Sequence, residues 1–359
     1  MREDRHGDAA RLLHAAVGRR LATAVTDLFL PGEHRLTEWH RTTMAALLDR
    51  LLRSVEDDLR AALAPSFGPD SHPALHAALT AAHVEIVRPI LDRSPVLEDP
   101  DLTALLLRRV EEHRLHRAAG PTATIRHGLL LELVRDSDTA VAESAMALLI
   151  AQSRRLDRFQ EPAIASVELP AEIEHRLVWT TAAALRCYLI LRHGIAPGHA
   201  DQAIGEAAMA RLAAFDEGDC LEARSSELVR RLEELGRLDG AFTCRALIEA
   251  GLPLFLACLS LRCGLGLDAT WEVLCDPRGH GAPLLLRAAG LNRRQAGEVL
   301  VTLSSAAGAA DEESLSKQLQ VFDGYSDAAA HAVLRLWQLD PAYRQAVARL
   351  TAPTSAEPS

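Results

Sequence analysis

The sequence predicts an all-α protein, a row of short helices followed by a domain of longer ones. Three observations predict it. Apolar residues recur at intervals of three and four along nearly the whole chain, and clear alternating apolar–polar runs bounded by turn residues are absent. Ala, Leu and Arg dominate while aromatics make up 4%, so good helix formers outnumber residues that favour pleated strands. The stretch 87–102 (Val-Arg-Pro-Ile-Leu-Asp-Arg-Ser-Pro-Val-Leu-Glu-Asp-Pro-Asp-Leu) reads as one short helix ending, a capped turn, and the next helix beginning.

Each element follows in order. In residues 1–35, Leu12, Leu13, Ala16, Val17, Leu21, Ala24, Val25 and Leu28 stripe a first long helix that Pro31-Gly32 stops. An isolated amphipathic helix needs cover, so this one is a candidate homodimer contact. Leu47, Leu48, Leu51, Leu52, Val55, Leu59, Ala62 and Leu63 stripe the next, with a break expected near Ser54. Residues 36–165 read as short units: Leu59-Arg60-Ala61-Ala62-Leu63 resembles Val87-Arg88-Pro89-Ile90-Leu91, 28 residues on. Asp99 is placed to cap a helix with Pro100 at its first position and Asp101 in its first turn. Asp136-Ser137-Asp138 marks another turn and cap, before a helix over 141–151. Short helices with one apolar face bury it by stacking, which is the logic of an α-solenoid.

The pattern loosens between Phe159 and Pro170, and a boundary is expected there. The C-terminal helical domain, 166–350, carries longer helices over about 171–193, 197–214, 220–236 and 240–262, then shorter ones punctuated by Gly264, Gly266, Gly279, Gly281 and Gly290. Residues 351–359 are rich in Pro and Ser and read as a disordered tail.

Composition narrows the function classes. The net charge is −10, distributed as balance, −2, −3 and −3 over the first four sixty-residue segments and −2 over the rest. No such segment is basic, which disfavours a counterion-releasing grip on nucleic acid. Lys317 is the single lysine. Six cysteines, at 187, 220, 244, 258, 263 and 275, form no Cys-x-x-Cys pair and sit mostly in apolar helical surroundings, as reduced thiols of a cytoplasmic protein do. The charged start Met1-Arg2-Glu3-Asp4-Arg5-His6 lacks a signal-peptide core, and the most apolar run, 252–261, is too short to span a bilayer.

Several constellations invite a chemical reading. His72 and His76 lie at i, i+4 with His83 and Glu85 downstream, but Pro73 puts His72 in a cap rather than on a helix face. Glu112, His113 and His116 cluster on one helix without the matching elements a dinuclear site needs, and polar contacts between adjacent repeats fit them better. Asp216-Glu217-Gly218-Asp219 lacks calcium-loop spacing and reads as a solvated turn. Residues 260–274 suggest a helix-turn-helix, yet its second helix carries Asp268, Glu272 and Asp276 and no base, so a core role is preferred. Of the tryptophans, Trp179, Trp271 and Trp337 sit in apolar contexts, and Trp39 is expected to be the most exposed. No phosphate-binding loop, dinucleotide fingerprint or nucleophile elbow occurs.

Residues 87–102, followed by Glu111-Glu112-His113-Arg114-Leu115, Leu131-Glu132-Leu133-Val134 and Asp136-Ser137-Asp138-Thr139-Ala140-Val141, resemble the bacterial family of domain of unknown function 2336 over 40–165. Gly251-Leu252-Pro253-Leu254 and Leu285-Leu286-Arg287-Ala288-Ala289-Gly290-Leu291 extend the likeness more loosely. One departure is Ala118-Ala119-Gly120-Pro121, where the family tends to carry a further Arg. The resemblance implies HEAT-like helical repeats and no activity. The expectation is therefore a non-enzymatic protein-binding or regulatory scaffold with no cofactor or metal and no assignable site residues. The alternative is a small-molecule binder or enzyme with a pocket between the two helical halves, lined by residues 252–267. A second alternative, ranked last, is nucleic-acid binding in a solenoid concavity.

Overall fold

The computed structural model describes residues 36–82, 84–92, 97–118, 128–156, 161–276, 279–306, 312–340, 343 and 346. The candidate dimer helix of residues 1–35 and the tail 351–359 lie outside them. The described residues form sixteen α-helices and no strand; Leu156 and Pro162 make one isolated bridge. The all-α expectation holds. Two compact units divide at Thr43 and Met44. In the first, Thr37 opens a helix, its Oγ1 accepting from the His40 backbone at 3.3 Å, and Trp39 is half-buried rather than exposed.

Helix α1 (Glu38–Leu63) runs unbroken through Ser54. Ser54 lies on its exposed side, so the helical spacing of Leu47, Leu51, Leu52, Val55, Leu59 and Leu63 is never interrupted, and all six are buried. Helices α2 (Pro73–Thr80) and α3 (Val87–Leu91) are too short to stand alone, and α1 secures an end of each. The Glu56 carboxylate accepts from the backbone N–H of Ile86 at 2.9 Å and Val87 at 3.1 Å, where α3 begins. One turn on, Arg60 donates to the carbonyls of Ala78 (2.7 Å), Leu79 (3.2 Å) and Val84 (2.9 Å), and to that of Ala81. Anion at a helix start and cation at a helix end match the unsatisfied groups and the dipole at each terminus.

Helices α4 (Pro100–Ala118), α5 (Gly128–Leu133) and α6 (Thr139–Ser153) follow. Asp99 caps α4 through the N–H groups of Asp101 (2.9 Å) and Leu102 (3.1 Å), and Asp138 caps α6 through Ala140 (2.9 Å) and Val141 (3.2 Å). Both caps stand where the sequence placed them. A turn at Ser166–Glu168 leads to the paired helices α7 (Ala171–His193) and α8 (Pro197–Ala213). A second turn, Glu217–Asp219, precedes α9 (Leu221–Glu234).

The helix expected over 240–262 is broken. It consists of α10 (Gly240–Arg245), a wide π turn (Ala246–Ala250) and α11 (Leu252–Cys263). Gly251 at φ 94° takes a backbone conformation closed to side-chain-bearing residues, and Pro253 lacks the N–H a continuous helix would use. The Gln152 amide donates to the freed Ala250 carbonyl at 3.0 Å.

Helices α12 (Leu267–Leu274), α13 (Gly281–Ala288), α14 (Arg293–Ala306), α15 (Glu312–Gly324) and α16 (Asp327–Leu334) complete the order. Their contiguous core takes in Leu130, Leu148, Leu228, Phe255, Leu286 and Phe322, drawing on α5 and α6 as well as on α9 onward. Among the described residues no single helix is long and apolar enough to cross a membrane. The bent pair α11–α12, which turns by 104°, has the composition for it, but Leu254, Phe255, Cys258 and Leu259 are spent on this core.

Candidate functional site

The residues with the strongest chemistry gather where α4, α9 and α12 meet. Helix α4 places Arg108, Arg109 and Glu112 on adjacent turns, at the three- and four-residue spacings that bring side chains together. Glu112, 1% exposed, accepts from Arg108 Nε at 3.0 Å and Arg109 Nη1 at 2.9 Å, and pairs with Arg155 just past α6. Arg109 reaches on to Glu222 of α9 at 2.6 Å, and Arg108 to Asp268 of α12 at 2.6 Å. The Arg108 guanidinium also stands 5.6 Å over the Trp271 ring. Burial pushes the Glu112 carboxyl up, but Arg155, Arg109 and Arg108 outweigh it and hold it at about 2. The group stays ionised and acts as a fixed anchor.

Against this anchor opens a half-open cleft of about 450 Å³. Its walls come from α4 (Leu105, Arg108), the turns at 166–170 and 217–222, the start of α12, and residues 337–340. Five carboxyl side chains line it (Glu168, Glu217, Glu222, Asp268 and Asp340) against one guanidinium, that of Arg108. Leu105, Leu169, Leu267, Trp337 and Leu339 supply apolar wall. Glu168 is buried: its Oε2 accepts the Leu221 N–H at 2.8 Å, while Oε1 lies 3.7 Å from Arg154 Nε. Burial raises the Glu168 carboxyl above its ordinary range, against the opposing pull of the Leu221 N–H and Arg109. Burial likewise raises the Cys220 thiol, which therefore resists becoming a thiolate nucleophile; its sulfur instead accepts the Ala223 N–H at 3.4 Å, at the start of α9.

Neither a curated protein nor a solved structure matched the chain. A family of uncharacterised proteins conserved in bacteria, DUF2336, matched residues 86–335. The chain belongs to that DUF2336 family. The family region starts later than the likeness read from residue 40 and extends through α16, so it contains the cleft walls from α4, α12 and the turns at 166–170 and 217–222, while residues 337–340 lie beyond it.

The structure sorts the candidate residues, within this DUF2336 region and before it, by what they touch. Glu112 and His113 are both buried, and Glu112, itself on α4, is tied through its arginines to the segment just past α6 and to α9. The side chain of His116 and all of His83 and 119–127, with the departing Ala119-Gly120-Pro121, lie outside the described residues. His72 is the cap of α2, His76 Nδ1 lies 3.0 Å from the Phe67 carbonyl, and Glu85 pairs with Arg53 at 2.5 Å. The acidic turn Asp216–Asp219 closes on itself through Asp216, which accepts the Gly218 N–H at 2.9 Å, and Asp219 pairs with Arg154 and Arg224. The second helix of the helix-turn-helix pattern is α12, whose Asp268 and Trp271 hold Arg108. Of residues 252–267, Gly266 and Leu267 reach the cleft, while Leu254 to Leu259 fill the core. Sequence reasoning missed Arg108, Arg109, Arg155, Glu168 and Glu222. The Arg108–Glu112 spacing was visible, but Glu222 stands 113 residues from Arg109 and only the fold joins them.

Proposed function

We propose that this chain is a non-enzymatic docking module whose cleft receives a lysine or arginine side chain from a partner protein. The observation that carries the reading is the cleft lining, five carboxyl groups to one guanidinium that is already committed to Glu112 and Asp268. An inserted cation adds positive charge to this acidic lining, which Arg109 and Arg154 offset only at Glu222 and Glu168, and its aliphatic stem lies along Leu105, Leu267 and Trp337. The net charge of −10 steers a basic partner toward the chain. We also read the short helices of residues 36–165 as HEAT-like repeats; the packing of α5 on α6 supports this. The acidic wall argues against a phosphate backbone as ligand.

The test is fluorescence anisotropy with short peptides carrying Lys or Arg between leucines, beside the same peptides with Gln. The basic peptides are expected to bind, to weaken with added salt, and to lose about tenfold in affinity, some 1.4 kcal/mol, in Asp268→Lys or Asp340→Lys. Equal binding of the Gln peptides, or affinity unchanged by both reversals, overturns the proposal. A second reading, a small ligand in the same cleft, draws on the raised carboxyl of Glu168. A ligand whose binding depends on Glu168 and not on Asp268 would favour it.

A further inference from the structure

On the other side of the turns that wall the cleft lies a second cavity, of about 330 Å³. Ser166 and Val167 face it, while Glu168 and Leu169 line the cleft; Phe215 and Asp216 face it, while Glu217 and Cys220 line the cleft. Four alanines, Ala62 of α1, Ala207 and Ala210 of α8 and Ala214 just past it, leave the space open, and Val167 and Phe215 add to its apolar wall. One buried carboxylate lines this apolar space. Glu174 of α7 is 1% exposed; its Oε1 meets Arg211 Nη2 at 3.0 Å, and its Oε2, also buried, accepts no hydrogen bond. Arg211 is shared with Asp58 of α1. The lining thus sets Asp58, Glu174 and Asp216 against Arg211 alone. A buried carboxylate oxygen without a donor is costly, and a ligand that brings a donor and a positive charge removes that cost.

We propose that this cavity is a binding site for a short aliphatic diammonium chain, one ammonium on Glu174 Oε2, the methylenes along the alanine and Val167 wall, and the second ammonium at Asp216. The chemistry selects the class: Glu174 Oε2 lacks a hydrogen-bond donor, three carboxyl groups against one guanidinium favour a cation, and the alanines with Val167 and Phe215 in the same lining favour methylenes. Burial lifts the Glu174 carboxyl above its ordinary range despite Arg211, and an arriving ammonium favours its ionised form.

The experiment titrates the full chain with 1,4-diaminobutane, butylamine and butane-1,4-diol, read by calorimetry and ligand-observed NMR. The diamine is expected to saturate with a Kd of about 1 mM or tighter, the monoamine to bind more weakly and the diol not at all. Glu174→Gln should weaken the diamine at least about tenfold. Ala210→Phe, at an exposed position of the mouth, fills the entrance without disturbing the core and should abolish binding. The cleft variant Asp268→Lys should leave diamine binding unchanged, which separates this site from the docking cleft. Absence of saturable binding, an equal response to the diol, or binding indifferent to both Glu174→Gln and Ala210→Phe overturns the proposal.

Discussion

Among the described residues, Glu112 is the one on which the most charge converges. Three guanidiniums meet one carboxylate that water barely reaches, and Arg109 extends the chain of pairs to Glu222. Removing one partner from such a set leaves the others buried and uncompensated, which costs far more than the pair itself contributed. Glu112→Gln is therefore expected to lower stability by about 3–5 kcal/mol. In urea unfolding this appears as a lower midpoint with an unchanged slope. An unchanged midpoint would mean that solvent already carries the arginines. Glu222, with 23% of its side chain exposed, is the milder member, and Glu222→Gln should cost less.

The helices differ in how much of themselves the sequence displays. The stripe of α1 and the caps Asp99 and Asp138 were legible because helical spacing and capping are local properties. The break at Gly251 was not, because Leu247, Leu252 and Phe255 continue the apolar pattern across it and Gln152, 98 residues away, satisfies the carbonyl that the break frees. The Glu56–Arg60 clamp was also missed: an i, i+4 acid–base pair reads as an ordinary solvated pair, whereas here both side chains are 4% exposed and serve the ends of two other helices. Arg60→Leu keeps the stem's bulk and strips the donors from four carbonyls at and beyond the end of α2. A loss of about 3 kcal/mol is expected, together with faster amide hydrogen exchange in α2 and α3 than in α9. Uniform exchange across the chain would refute a local clamp.

At the scale of the whole molecule, the all-helical class was readable because it rests on repeated local patterns, whereas the cleft and the alanine-walled cavity were not, because each is assembled from segments more than a hundred residues apart, as Leu105 and Trp337, or Ala62 and Asp216, are. Those same long-range meetings leave the protein with two opposed classes of buried carboxyl, and their balance sets its response to acid. Burial raises Glu56, Glu168 and Glu174, so the folded state holds their protons more tightly than the unfolded chain does. Stability contributed by these three grows as pH falls through their raised values toward 4.5, the ordinary value for the group. Glu112 runs the other way. Its arginines hold it at about 2, so its contribution is fully present above 4.5 and is lost as pH falls from 4.5 to 2. The sum predicts a stability maximum on the acid side of neutrality, followed by a steep fall below 4.5. Thermal unfolding followed from neutral pH down to about 3 checks both limbs. Glu174→Gln removes one of the three raised groups and should flatten the neutral-to-acid rise while leaving the fall below 4.5 in place. A melting temperature that declines steadily from neutrality downward would show that the surface pairs, not the buried carboxyls, govern the response.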